Sequence, residues 1–211
     1  MKLKLNPFYL IESGKLKIQT KQRGLIPFRL SEEWQAQLRL HKRIKEFWYS
    51  PMERLLIRIL KARQEGISTF LEALGFSIGL AMDNNHGLLV ANETDTVDYL
   101  FEMMKIFQAE LLADGFPIPP LEYSNKKIIQ WEGLRSSIRV NQGKNVKLGV
   151  GKAMHFVHLS EYALYPYPRK LMNWLMPSIP DTGKIIAVKE TTSDGAGTAF
   201  HMEWLDGETA A

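Results

Sequence analysis

The period of the hydrophobic pattern changes several times along the chain. Residues 1–27 alternate Lys with apolar positions, as in Lys15-Leu16-Lys17-Ile18, and are punctuated by Gly14, Gly24 and Pro27. That pattern predicts a peripheral ribbon or arm, with a main domain over residues 28–211. Ser31, followed by Glu32 and Glu33, reads as the N-cap of an amphipathic helix reaching about Tyr49 and closed by Ser50-Pro51. The short apolar run Leu55 to Leu60 fits a buried strand, and a turn over Lys61 to Thr69 leads into a helix ending near Met82. A strand at Gly87 to Ala91 and a helix from Thr94 to Ala113 repeat the unit, with Asp95 and Asp98 suited to the positive end of the helix dipole.

Beyond a stiff connector at Asp114 to Pro120, short strands are predicted at Lys127 to Trp131 and Ser136 to Val140. A glycine- and lysine-bearing loop, Gly143 to Gly151, precedes a strand at Met154 to Leu159, a helix at Tyr165 to Met176 and a strand at Lys184 to Lys189. Strands alternating with helices predict an α/β fold with a mostly parallel central sheet covered by helices on both faces. Ligands in such sheets sit at the carboxyl ends of the strands. Three strands end in polar, small or charged residues: Leu60 into Lys61 to Gly66, Leu159 into Ser160-Glu161, and Val188 into Glu190-Thr191-Thr192.

Composition narrows the class. The 211 residues contain no Cys, 45% hydrophobic and 24% charged residues, which excludes a disulfide scaffold and fits a globular domain. The apolar stretch Phe70 to Met82 carries Glu72 and is too short to span a bilayer, and Met1 to Leu10 lacks a secretory cleavage pattern. The expected compartment is therefore cytosolic, with no membrane partner. Residues 1–63 hold 15 Lys/Arg against 5 Asp/Glu, whereas residues 64–211 hold 12 against 18. A basic amino-terminal part suits a polyanionic partner as well as it suits a plain solvated face.

The turn after the first buried strand carries the clearest chemistry. Gly66 supplies backbone freedom, the following helix start offers N–H groups, and Ser68 or Thr69 offers a hydroxyl for Mg²⁺, the arrangement that cradles phosphates. The usual P-loop spacing is not met, because Ile67 stands where a Lys is expected. The segment Ile59 to Thr69, containing Lys61-Ala62-Arg63-Gln64-Glu65-Gly66-Ile67-Ser68-Thr69, resembles the deviant Walker A loop of viral large terminase subunits, the ATP-driven motors that pump DNA into procapsids. His155 to Ala163, with Ser160-Glu161, resembles the Walker B strand of that family, and Ile185 to Gly195, with Thr191-Thr192, resembles its coupling motif. Pro27-Phe28-Arg29-Leu30 with Trp34-Gln35 resembles its adenine-recognition motif.

The resemblance implies a RecA-like ASCE P-loop fold and Mg-dependent ATP hydrolysis that drives double-stranded viral DNA into a procapsid. It implies phosphate contacts from Lys61 and from the loop Ala62, Arg63, Gln64, Glu65, Gly66, Ile67, Ser68 and Thr69. Lys61 would hold the β/γ-phosphates, and Arg63 would stabilise the transferring phosphoryl group in cis. Glu161 would activate water. Ser68, and Ser160 through a bound water, would serve the metal, while Thr191 and Thr192 would couple hydrolysis to movement. Gln35 is the implied adenine reader, since an amide both donates and accepts, with Gln37 in reserve. A finger acting on a neighbouring subunit falls to Lys152, Arg139 or Arg135. Implied partners are double-stranded DNA, the portal protein, the small terminase subunit and further copies in a ring on the procapsid, in the host cytoplasm. The family also carries a carboxyl-terminal nuclease domain; 16 residues follow the coupling motif, so the chain is expected to be a fragment without nuclease activity. A helicase-like DNA-dependent ATPase and a non-hydrolysing nucleotide-binding scaffold are the rival readings.

Other features are set aside. His155 and His158, three apart on a strand, face opposite ways and read as packed sheet residues. His201, Glu203 and Asp206 lie in a polar tail without metal-ligand spacing. Asn92-Glu93-Thr94 has the form of a glycosylation acceptor but lacks a secretory context. Gly75 and Gly79 read as a close helix-to-sheet contact, and the aromatic and basic residues between Trp34 and Tyr49 as core packing on one face with snorkelling cations on the other.

Overall fold

The computed structural model describes residues 5–20, 22–62, 65–125, 127–148, 151–192 and 198–208. The chain runs α1 (Tyr9–Glu12), β1 (Lys17–Thr20), β2 (Gly24–Pro27), α2 (Gln35–Tyr49), β3 (Arg54–Lys61), α3 (Ile67–Ala81), β4 (His86–Ala91) and α4 (Thr94–Ala113). It continues through β5 (Leu121–Asn125), β6 (Ile128–Trp131), β7 (Ser137–Gln142), β8 (Phe156–Ser160), α5 (Pro168–Leu175), β9 (Ile185–Thr192) and α6 (Ala199–Glu208).

Seven strands form the central sheet in the order β3-β9-β8-β4-β7-β6-β5. The first five are parallel, and β6 and β5 add an antiparallel edge. Period-two alternation sorts side chains to the two faces. On β8, Phe156 joins the core beneath α2, α3 and α4, while Val157 and Leu159 join the core beneath α5 and α6. The alternating strands and helices thus produce the predicted sheet with both faces covered.

Helix α3 is the centre of the first layer. Twelve of its fifteen residues are buried, as expected of a helix apolar all round. It lies close to the sheet because two turns carry glycine: a Cβ on Gly75 would stand 2.6 Å from the Phe156 ring, and one on Gly79 2.6 Å from Trp131. Helix-to-sheet packing therefore accounts for this small-residue pair.

Several boundaries differ from the sequence reading. Strands β1 and β2 do form an antiparallel ribbon, but the described part of the amino-terminal segment is not peripheral. Phe8, Leu10, Ile11 and Leu16 are fully or almost fully buried and belong to the main core. Apolar burial outweighs the local Lys alternation. Helix α2 begins at Gln35 rather than near Ser31, because residues 31–34 make a turn in which the Trp34 N–H donates to the Ser31 carbonyl at 3.0 Å. Strand β9 runs on to Thr192, three residues beyond the predicted end, since it pairs with β3 on one side and β8 on the other. The polar tail is helix α6, which buries Phe200 in the second core.

Candidate functional site

The central β9 and its neighbours β3 and β8 deliver their last residues to one corner. In register, Lys61 of β3 lies opposite Thr192 of β9, and Glu190 of β9 lies opposite Ser160 of β8. The start of α3 closes the corner. Gly66 caps it with φ +65°, a left-handed turn that suits glycine, so the chain enters the helix with its first N–H groups unpaired by helical acceptors. Lys61 Nζ donates to Ser68 Oγ at 2.9 Å, pairs with Glu190 Oε2 at 2.7 Å and stands 3.8 Å from Glu161 Oε1. Lys61, the loop hydroxyl and the carboxylate that follows β8 therefore share one small volume.

Glu190 is the hub of this volume. Its Oε1 accepts from Ser68 Oγ at 2.8 Å and from Ser160 Oγ at 2.7 Å, and lies 3.3 Å from His158 Nε2. The other imidazole nitrogen of His158 lies 2.8 Å from Glu72 Oε1 of α3. Glu72, His158 and Glu190 are all inaccessible to solvent. Burial alone raises the Glu190 pKa, but the His158 hydrogen bond and then Lys61 outweigh it and lower it to about 2. Burial likewise lowers His158, yet its hydrogen bonds to Glu190 and Glu72 raise it to about 9. Burial raises Glu72 above the usual carboxylate range. At neutral pH an ionised Glu190 is thus flanked by two cations, the imidazolium of His158 and the ammonium of Lys61.

Glu161 follows β8 with φ +56°, a left-handed conformation uncommon outside glycine. Such strain persists where the surroundings fix it, and it clusters at functional positions. Here the carboxylate Oε2 accepts from the Thr192 N–H at 3.3 Å and from Thr192 Oγ1 at 3.1 Å. Thr191, the other threonine of the pair, is buried and donates to the Thr192 carbonyl at 3.0 Å. Tyr162, next after Glu161, is held from the far side by α6: its hydroxyl donates to Glu203 at 3.0 Å.

The remaining candidates separate into near and far. Ala62 is exposed, Glu65 and Thr69 are half-buried, and Ile67 is buried in the core. Arg63 and Gln64 lie outside the described residues. Gln37, and not Gln35, reaches the loop: Gln37 Nε2 donates to the Glu65 carbonyl at 2.9 Å, and its Oε1 is buried without a hydrogen bond among the described residues. Gln35 is exposed and donates to the Glu32 carbonyl at 2.8 Å. The signal was present in the sequence, since Gln37 shares the helical stripe of Leu40, Ile44 and Phe47.

Lys152 precedes the amino end of β8, opposite the end that carries Glu161. There it lines an open cavity of about 660 Å³ with Asn173, Trp174 and Ser178. Lys152 and Arg139 both act on the electrostatics of His86 at the start of β4, so the structure gathers them away from the Lys61 corner. Arg135 is exposed in the turn before β7. Sequence reasoning did not assign a role to Glu190, Glu72 or His158. Among the described residues no group of three or more His, Cys, Asp and Glu is placed to hold a metal ion, and His201, Glu203 and Asp206 form no such group.

A mostly parallel sheet between two helical layers is the RecA-like fold. In that fold the chain is similar to phage large terminase ATPase domains. The ATPase domain of the Thermus phage P74-26 large terminase superposes with a TM-score of 0.56 at 17% identity, over 76% of this chain and 67% of that one. The large terminase of bacteriophage HK97 gives 0.67 at 11% identity, over 98% of this chain and 42% of its own. The large terminase of a further, thermophilic bacteriophage gives 0.50 at 13% identity, over 82% of this chain and 42% of its own. The chain therefore spans less than half the length of the last two proteins. No family model and no curated protein matches the sequence. Among the described residues no helix is long and apolar enough to cross a membrane.

Proposed function

We propose that the chain is a packaging-motor ATPase domain that hydrolyses ATP to drive double-stranded viral DNA into a procapsid. The observation that carries this reading is the convergence of Lys61, Ser68 and Glu161 at the start of α3, with Lys61 and Glu161 3.8 Å apart. The fold likeness to large terminases gives it context. In this reading the β- and γ-phosphates lie over Gly66, held by the N–H groups of Ile67, Ser68 and Thr69 and by Lys61, which exchanges Glu190 for phosphate oxygen. Arg63 adds a second positive charge to the transferring group. Gln37 reads the adenine, its free Oε1 supplying the acceptor that Gln35 does not bring to the loop. Glu161, fixed by Thr192, orients or deprotonates the attacking water, and loss of the γ-phosphate reaches β9 through that same contact.

The oxygen donors near the loop suit Mg²⁺, a hard cation that prefers hydroxyl, carboxylate and water ligands. Ser68 would bind it and Ser160 would orient a bound water; when present it neutralises charge building on the phosphate oxygens. Lys152 or Arg139, far from the Lys61 corner of their own chain, are the residues this reading assigns to a neighbouring subunit in a ring. The further partners are the portal protein and the small terminase subunit, in the host cytoplasm.

Single-turnover hydrolysis with Mg²⁺ tests the reading. Glu161→Gln keeps nucleotide binding and loses about a hundredfold or more in the hydrolysis rate, as removal of a general base does. A parent chain that binds nucleotide but hydrolyses none, alone or with added copies and DNA, would instead support a scaffold role.

A further inference from the structure

P-loop ATPases hold the metal between the loop hydroxyl and an acidic residue at the end of another strand of the sheet. In this chain the residue before Glu161 is Ser160, which carries no charge. The loop hydroxyl is nonetheless bonded to a carboxylate, because Ser68 Oγ donates to Glu190 Oε1 at 2.8 Å. Glu190 comes from β9, one strand over from β8, and is the register partner of Ser160. Ser160 Oγ donates to the same oxygen at 2.7 Å. Of the nearby carboxylates, Glu161 Oε2 accepts from Thr192 and Glu72 lies behind His158, whereas Glu190 accepts from the loop hydroxyl.

We propose that Glu190 supplies the carboxylate that faces the divalent cation at the nucleotide, with Ser160 orienting it, so that the acidic metal position has moved from β8 to β9. The inference rests on the ATPase reading above. It explains why a buried carboxylate ends beside the phosphate loop rather than being satisfied wholly by His158. It also gives Lys61 two partners. Without nucleotide the ammonium neutralises Glu190 at 2.7 Å. With Ser68 and Glu190 holding a divalent cation, Glu190 would no longer need Lys61, whose ammonium would be free for phosphate, so metal binding and phosphate binding would be coupled.

Mn²⁺ serves as the probe, its binding followed by electron paramagnetic resonance with the non-hydrolysable analogue AMP-PNP, and AMP-PNP affinity is measured separately in EDTA. For Glu190→Gln the expected result is Mn²⁺ affinity reduced about tenfold or more, the scale of a lost partner at a metal site. Metal-free AMP-PNP affinity stays equal or tightens, because Lys61 is released. The double variant Ser160→Asp/Glu190→Gln, which returns the charge to β8, recovers Mn²⁺ binding. Unchanged Mn²⁺ affinity in Glu190→Gln overturns the proposal, as does a parallel loss of metal-free binding or a double variant that recovers nothing. Should Glu190→Gln not fold, Glu190→Asp keeps the charge but retracts it by one methylene: weakened Mn²⁺ binding at unchanged metal-free affinity then supports the proposal, and unchanged Mn²⁺ binding overturns it. A parent that binds AMP-PNP without any Mn²⁺ site removes this inference alone, whereas a parent that binds neither removes the ATPase reading with it.

Discussion

Two histidines on neighbouring strands of the sheet show how differently its two ends treat charge. His158 on β8 sits between Glu190 and Glu72 and keeps its proton up to about pH 9, the two carboxylates outweighing burial. His86 at the start of β4 loses its proton near pH 4, because burial is reinforced by Lys152, His155 and Arg139. One end of the sheet collects carboxylates and stabilises cations among them; the other collects cations around an imidazole that stays neutral. The asymmetry follows the direction of the parallel strands. At their carboxyl ends the loops and the start of α3 offer N–H groups, where ionised groups and anionic ligands can be held.

The largest effect is expected from breaking the buried network itself. His158→Leu removes the cation between Glu72 and Glu190 and leaves buried negative charge with Lys61 as the cation still paired to it among the described residues. A broken buried pair of this kind costs about 3–5 kcal/mol. Glu72 lies only on the His158 side, so Glu72→Leu/His158→Leu removes both members and leaves Glu190 its pairing with Lys61. Urea denaturation of the two variants separates the accounts: the double variant regains most of the loss if charge is the cause, whereas additive losses would mean that packing, and not charge, makes this end of the sheet sensitive.

One turn along α3 the same helix faces the amino half of β8 without any charge. Gly75 replaces electrostatics with contact, the Phe156 ring lying where a side chain would begin. Gly75→Ala should cost about 1–3 kcal/mol, the usual range for overpacking, read as a lower thermal midpoint. Lifting α3 also draws Glu72 and Ser68 away from the sheet, so under the proposed ATPase reading the variant weakens AMP-PNP binding in parallel. A midpoint that does not move would show that the helix can shift without strain.

These contrasts also mark what could be read from the sequence. The parallel sheet, α3 and α4, and the three strand ends with polar residues follow from local periodicity and composition, which survive folding unchanged. The loop at Lys61 to Thr69 is contiguous and equally local. Glu190 escaped because its meaning is not local: only the register of β9 against β8 sets it beside Ser160, thirty positions earlier in the chain. His158 is packed, as strand alternation predicts, but its partners come from α3 and β9. Strand β5 was missed because it is mostly exposed and lies at the sheet edge, where little burial imposes a pattern. The choice between Gln35 and Gln37 turned on helix phase. Moving the start of α2 by a few residues decides which amide turns inward.

The smallest effect lies at the amino end of the sheet and is a matter of pH. Unfolded, His86 binds its proton near pH 6.5; folded, it does so near 4. Between those values the unfolded chain holds more protons than the folded one. Stability therefore rises with pH across this window, is fully present above about pH 6.5, and is lost as the pH falls toward 4. Because His86 is only partly buried, the loss between pH 7 and pH 5 is expected to be about 1 kcal/mol, less than the full shift implies. His86→Gln retains a polar partner for Ser137 Oγ, which lies 2.9 Å from His86 Nδ1, and cannot take up a proton. Thermal midpoints of parent and variant, compared at pH 7 and pH 5, should fall further for the parent. Equal falls would place the acid sensitivity of this end in other groups, and Lys152 and Arg139 would then tolerate a protonated His86 beside them.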